Sequence, residues 1–91
     1  MTTFLIERNI PGASQLTPDQ LREISCASNR VVDGLGVAYT WHHTYVAGDK
    51  IYCVHETDDA DTVREHARRG GFPADLVVEV AAEFGPRTAG S

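Results

Sequence analysis

WHHTYVAGDKIYCVHETDDADTVREHARRGGFP, Trp41 to Pro73, sets the architecture of the whole chain. Two β-branched and aromatic runs, Val37–Val46 (VAYTWHHTYV) and Ile51–His55 (IYCVH), flank the short turn Ala47-Gly48-Asp49-Lys50, the pattern of an antiparallel hairpin. Thr57 or Asp58 then caps a helix with aspartates in its first turn and Arg68 and Arg69 in its last, an order that complements the helix dipole. Gly70-Gly71 ends that helix.

Upstream, Thr3–Asn9 (TFLIERN) reads as a first strand stopped by Pro11-Gly12, with Phe4 and Ile6 on one face and Leu5 and Glu7 on the other. Thr17-Pro18-Asp19-Gln20 is a capping box with proline at the first helical position. Leu21, Ile24, Ala27 or Ser28, and Val31 follow at helical spacing until Gly34 and Gly36. Downstream, Leu76–Val80 (LVVEV) is a fourth strand, and Ala81–Phe84 either extends it or forms an edge. The order is βαββαβ. This predicts an α+β, ferredoxin-like sandwich, an antiparallel sheet with both helices on one face. Residues 1–84 form the domain and 85–91 (GPRTAGS) a disordered tail. The other sheet face is left open, and a second copy covering it, in a dimeric α+β barrel-like assembly, is the simplest way to bury it.

The 91 residues support a single small core, for which association is a natural supplement. A net charge of −5 argues against a nucleic-acid partner, and the cluster Arg64, Arg68, Arg69, interleaved with acidic residues, reads as a solvated helix face. No apolar run approaches the ~20 residues needed to cross a bilayer, and the N-terminus lacks the features of a secretory signal. A cytoplasmic protein is expected, with Cys26 and Cys53 as free thiols, each a small buried hydrophobe.

The hairpin and the helix after it hold all four histidines (His42, His43, His55, His66), the side chains that bind metals or move protons near neutral pH. Strand alternation sends His42 and His43 to opposite faces. A three-residue turn pairs His43 with His55 and Tyr45 with Cys53. A two-residue turn pairs His42 with His55 and Tyr45 with Tyr52. Either register sets His55 opposite a histidine, close enough for two imidazoles to share a divalent nickel, zinc or copper ion. His42, His43 and His55 are therefore the candidate metal ligands. Against this stands the tolerance of solvent-facing strand positions for histidine, and no dedicated zinc spacing is present. His66 falls at the margin of the Ala60, Val63, Ala67 helix face. No phosphate-binding glycine loop or nucleophile elbow occurs.

MTTFLIERNIPGA, WHHTYVAGDKIYCVHE and VREHARRGGFPADLVVEV together resemble a small bacterial ferredoxin-like family, long labelled a domain of unknown function, that carries the name nickel-binding protein from one member. The resemblance covers residues 3 to 80, most specifically DKIYC and EHARRGGFPA. It implies a homodimer that holds nickel or another divalent transition metal, for sequestration rather than catalysis. His43, Tyr45, Cys53 and His66 match the family pattern, while His42 and His55 are additional in this chain. The competing expectation is a small-molecule binder or cofactor-free enzyme of the dimeric α+β barrel kind. Its pocket would lie on the open sheet face and use Tyr45, Cys53 and His66 together with His43.

Overall fold

The computed structural model describes residues 1–90. Four strands, β1 (Thr2–Asn9), β2 (Thr40–Ala47), β3 (Lys50–Thr57) and β4 (Leu76–Glu79), form one antiparallel sheet in the order β2-β3-β1-β4. Helices α1 (Pro18–Gly34) and α2 (Ala60–Gly70) cover one of its faces. This is an α+β layout compatible with a ferredoxin-like fold. Among the described residues no helix is long and apolar enough to cross a membrane.

Alternation in the two central strands decides what is inside. Phe4, Ile6 and Arg8 of β1 and Ile51, Cys53, His55 and Thr57 of β3 are all buried against the helices. They meet across the β1–β3 ladder as Phe4↔His55, Ile6↔Cys53 and Arg8↔Ile51. The opposite set, including Leu5, Glu7, Tyr52 and Val54, lies on the open face.

The capping box of α1 forms as expected: Thr17 Oγ1 accepts from Gln20 N at 3.2 Å, and Gln20 Oε1 accepts from Thr17 N at 2.9 Å. The cap of α2 falls one or two residues later than Thr57 or Asp58. Asp59 Oδ1 accepts from both Thr62 N and Thr62 Oγ1 at 2.8 Å, while the Thr57 hydroxyl is turned inward to Ala38 O at 2.8 Å. At the far end Gly71 adopts φ +71°. There Gly71 N donates to Arg68 O at 3.3 Å and Phe72 N to Ala67 O at 2.9 Å. These are the two bonds of a Schellman stop, and they fold Phe72 back beneath the helix.

Three expectations change. Val37–Tyr39 is a loop rather than the start of β2, because Thr57 holds the Ala38 carbonyl off the ladder. Ala81–Phe84 does not extend β4, which ends at Glu79. Cys26 is exposed, while Cys53 is buried as expected. In the expected disordered tail, Pro86–Ala89 makes an exposed 3₁₀ turn in which Gly85 N donates to Thr88 Oγ1 at 3.0 Å, and Ser91 lies outside the described residues.

The two helices are held unequally. Val63, His66 and Ala67 of α2 are buried, but Ser28 is the only buried residue of α1. Helix α1 packs on α2 far more than on any strand, and Leu21 on its sheet-facing side remains 37% exposed. The gap beneath it matters for the site.

Candidate functional site

The hairpin turn is the two-residue form, Gly48-Asp49, with Gly48 alone at positive φ (+61°), as a type II′ turn requires. It pairs Tyr45 with Tyr52, Thr44 with Cys53 and His43 with Val54. Between Trp41 and His43 the register then shifts, and His55 faces Trp41. The expectation that His55 opposes a histidine in either register is overturned by this β-bulge. His42 is the extra residue of the bulge, and an inserted residue breaks strict alternation. Consequently His42 and His43 share the open face, whereas His55 lies on the other side of the sheet. The three candidate metal ligands do not converge within one chain.

On the open face His42 Nε2 meets Glu56 Oε1 at 2.9 Å, and the His43 and Tyr45 rings pack edge to face with centroids 5.1 Å apart. Both pairs lie at the β2 edge of the sheet, and the exposed apolar residues Leu76 and Val78 stand on the same face at the opposite edge, on β4. Among the described residues, no three His, Cys, Asp or Glu side chains come together to hold an ion.

On the helix side the structure gathers an aromatic and imidazole cluster. His55 and His66 are each 1% exposed, with ring centroids 5.0 Å apart. The Tyr39 hydroxyl hydrogen-bonds His55 Nδ1, and the Tyr39 ring stacks on His66 at 5.3 Å. Phe72 stacks on the far side of His66 at 5.8 Å. Ser28 Oγ bonds His66 Nε2 at 2.9 Å, while His66 Nδ1 is buried without a hydrogen-bond partner. Burial, with a smaller push from His66 and Arg8, lowers the His55 pKa to about 3. Burial and then Arg8 lower that of His66 to about 4. Both imidazoles are thus neutral at physiological pH. Burial raises the Tyr39 pKa above its ordinary value, so its phenol stays protonated and donates to His55.

Next to this cluster, under α1, lies a cavity of about 240 Å³. Cys53, His55 and His66 line it, but Tyr45 and His43 do not. Cys53 and His66 thus share a cavity wall that Tyr45 does not reach, because alternation puts Tyr45 on the opposite face. Within the cavity wall, Cys53 Sγ accepts from Thr44 Oγ1 at 3.2 Å. Arg8, Tyr39 and Ser28 complete the surroundings of His55 and His66, and the sequence marked none of them as a site residue, Ser28 entering only as one alternative in the helical stripe. Arg8 and Ser28 were accessible in principle, since both continue inward-facing patterns: Phe4, Ile6, Arg8 in β1 and Leu21, Ile24, Ser28 in α1. Tyr39 had no such signal, because a loop places it.

A small four-stranded α+β protein with buried neutral imidazoles on one sheet face and solvent-facing ones on the other is the class these features define. The chain belongs to the family described as nickel responsive protein SCO4226-like, which it matches over residues 4–80. It is also similar to the crystal structure of SCO4226 from Streptomyces coelicolor A3(2), with a TM-score of 0.75 and 25% sequence identity over 90% of this chain and 99% of that one. A search of curated proteins gave no match.

Proposed function

We propose that this protein is a homodimeric binder of nickel or a similar divalent ion, acting in metal sequestration, with the ion held on the open face of the hairpin. The carrying observation is the 2.9 Å approach of His42 Nε2 to Glu56 Oε1 at an exposed position, in a chain of a family described as nickel responsive. An imidazole and a carboxylate already converge there. Both are ligands that nickel accepts, and an ion that displaces their hydrogen bond would engage the pair together. His43 stands next to it on the same face. One chain supplies too few donors for a closed site, and a second copy packed on the open face supplies the rest. Leu5, Tyr45, Tyr52, Val54, Leu76 and Val78 give that face the apolar surface a partner would cover.

Titration calorimetry with nickel on tag-free protein, with melting followed in parallel, tests this reading. Nickel bound only by the native state raises the melting temperature by mass action. The combined variant His42→Ala, His43→Ala, Glu56→Gln is expected to abolish both the heat and the shift. Retention of both would remove the metal from the hairpin. A monomeric mass by light scattering, with nickel present, would remove the dimer.

A further inference from the structure

We infer that the cavity beneath α1 is a second binding site, selective for a small monoanionic ligand with an apolar body, such as an aromatic or branched aliphatic carboxylate. It lies on the opposite side of the sheet from the proposed metal site and does not depend on it.

The charge preference comes from Arg8. Its side chain lines the cavity and the residue is 4% exposed, yet no described carboxylate pairs with it. The nearby acids are otherwise engaged: Glu7 takes Lys50 at 3.2 Å on the open face, and Asp75 Oδ2 accepts from Asn9 N at 2.6 Å. Arg8 has one hydrogen bond, from Nη1 to Pro73 O, and its guanidinium carbon lies 5.5 Å from the centre of the Phe72 ring. A guanidinium carries five N–H donors in a fork that matches a carboxylate. Leaving such a cation buried without a counter-charge is unfavourable, and an anion in the cavity removes that penalty. Neither Asp nor Glu occurs among the lining residues, so nothing there recruits a cation.

The apolar body follows from the rest of the wall. Ile10, Leu21, Ile24, Val46, Ile51 and Phe72 are among its apolar side chains. A dry, apolar cavity of about 150 Å³ is known to accept benzene, so about 240 Å³ suits a ring of that size plus a carboxylate. Ser28 and His66 stand at the polar end, and His66 Nδ1 has an unused hydrogen-bonding position. Access is through α1, which leans on α2 rather than on the sheet and leaves Leu21 partly in solvent at the rim. Filling the cavity gives the inner side of α1 the apolar contact it lacks.

The test uses the metal-free full chain and four probes: benzoate and hexanoate, with benzamide and hexanamide as neutral counterparts. Binding is followed by backbone amide NMR shifts and by melting temperature. Benzoate or hexanoate is expected to move the signals of Arg8, Ser28 and His66 and raise the melting temperature. The matching amide should bind about tenfold more weakly or worse, the factor implied by losing a charge-assisted hydrogen bond. Arg8→Met should erase the preference for the acid. Ile24→Trp, on the loosely held helix, fills the cavity and should abolish binding of both members of a pair; it keeps the site testable where Arg8→Met does not fold. Equal binding of acid and amide overturns the proposal, as does the absence of shifts at the cavity residues with all four probes. Unchanged binding to Ile24→Trp also overturns it, and so does movement of the same signals by nickel alone.

Discussion

On the helix side of the sheet His55 and His66 are sealed among Tyr39, Phe72 and Ser28, whereas His42 and His43, one strand away, stand on the open face against Glu56 and Tyr45. The same side chain does different work in the two places. Inside, the imidazole is a flat, partly polar filler whose charge is suppressed by burial. Outside, it stands in solvent, within reach of an ion. Histidine clustering in a sequence therefore carries little information until the face of each residue is known. Here one bulge residue decided it, by moving His42 to the side of His43 and leaving Trp41 opposite His55.

The sharpest way to probe this asymmetry is a pair of neighbours on β1. Ile6 is fully buried, while Leu5 lies on the open face. Ile6→Ala is expected to cost about 3–4 kcal/mol of unfolding free energy in urea, the usual penalty for a large-to-small core change. That cost should not vary with protein concentration. Leu5→Ala should cost about 1 kcal/mol in dilute protein and more as concentration rises, because a partner on the open face would bury it. A cost for Leu5→Ala that is independent of concentration would break the proposed dimer without touching the core.

Acid should separate the two histidine pairs next. The folded-state values of His55 and His66, about 3 and about 4, lie below the ordinary imidazole value. As pH falls the unfolded chain therefore binds these protons first. Stability is complete above about pH 6.5 and drains away towards the folded values, by about 1.4 kcal/mol per pH unit for each residue. Between pH 7 and 5 the two together should remove about 4 kcal/mol, seen as a falling urea midpoint. The double variant His42→Ala, His43→Ala should show the same fall, since those two rings are not sealed in the core. If the fall vanishes in that variant, the open face carries the acid sensitivity and the contrast drawn above is wrong.

Hydrogen bonds give a smaller contrast. Ser28→Ala removes the single hydrogen-bond partner of His66 in a buried site and leaves both ring nitrogens unpaired, at a cost of about 1–2 kcal/mol. Glu56→Gln perturbs only a solvent-facing contact with His42 and should cost about 0.5 kcal/mol or less. Equal costs in thermal or urea unfolding would mean that the Ser28–His66 bond is reached by water.

Much of this organisation was legible before any coordinates. The capping box at Thr17, the glycine stop at Gly70-Gly71 and the two-residue periodicity of β1 are local effects, set by residues within a few positions of one another, and they appear as expected. Alternation with Ile51 and Cys53 fixes the face of His55, but the residue opposite it was not legible. A bulge in β2 sets Trp41 there and turns His42 to the open face beside His43. Tyr39 was missed because its placement follows from Thr57 bonding the Ala38 carbonyl, a contact between segments far apart in sequence. The depth of His66 was underestimated for a related reason. A helical wheel puts it at the margin of the apolar stripe, but Phe72, folded back by the Schellman stop, closes over the exposed side.

The faintest expected difference concerns the exposed pair His43 and Tyr45. Their edge-to-face contact at 5.1 Å is the open-face counterpart of the His55–His66 contact at 5.0 Å, but Tyr45 is 63% exposed. Water competes for both rings, so a double-mutant cycle with His43→Ala and Tyr45→Ala should give a coupling of about 0.5 kcal/mol in dilute protein, the low end for aromatic pairs. Dimerisation through the open face would desolvate the pair and raise the coupling with concentration. Bound nickel would change it in a different way, by engaging His43 and withdrawing it from Tyr45, so that the coupling falls. Measuring the cycle with and without nickel at two protein concentrations therefore separates a face that is merely covered from one that is covered and ligated. A coupling that stays near its dilute, metal-free value under all four conditions would leave these rings as solvated neighbours.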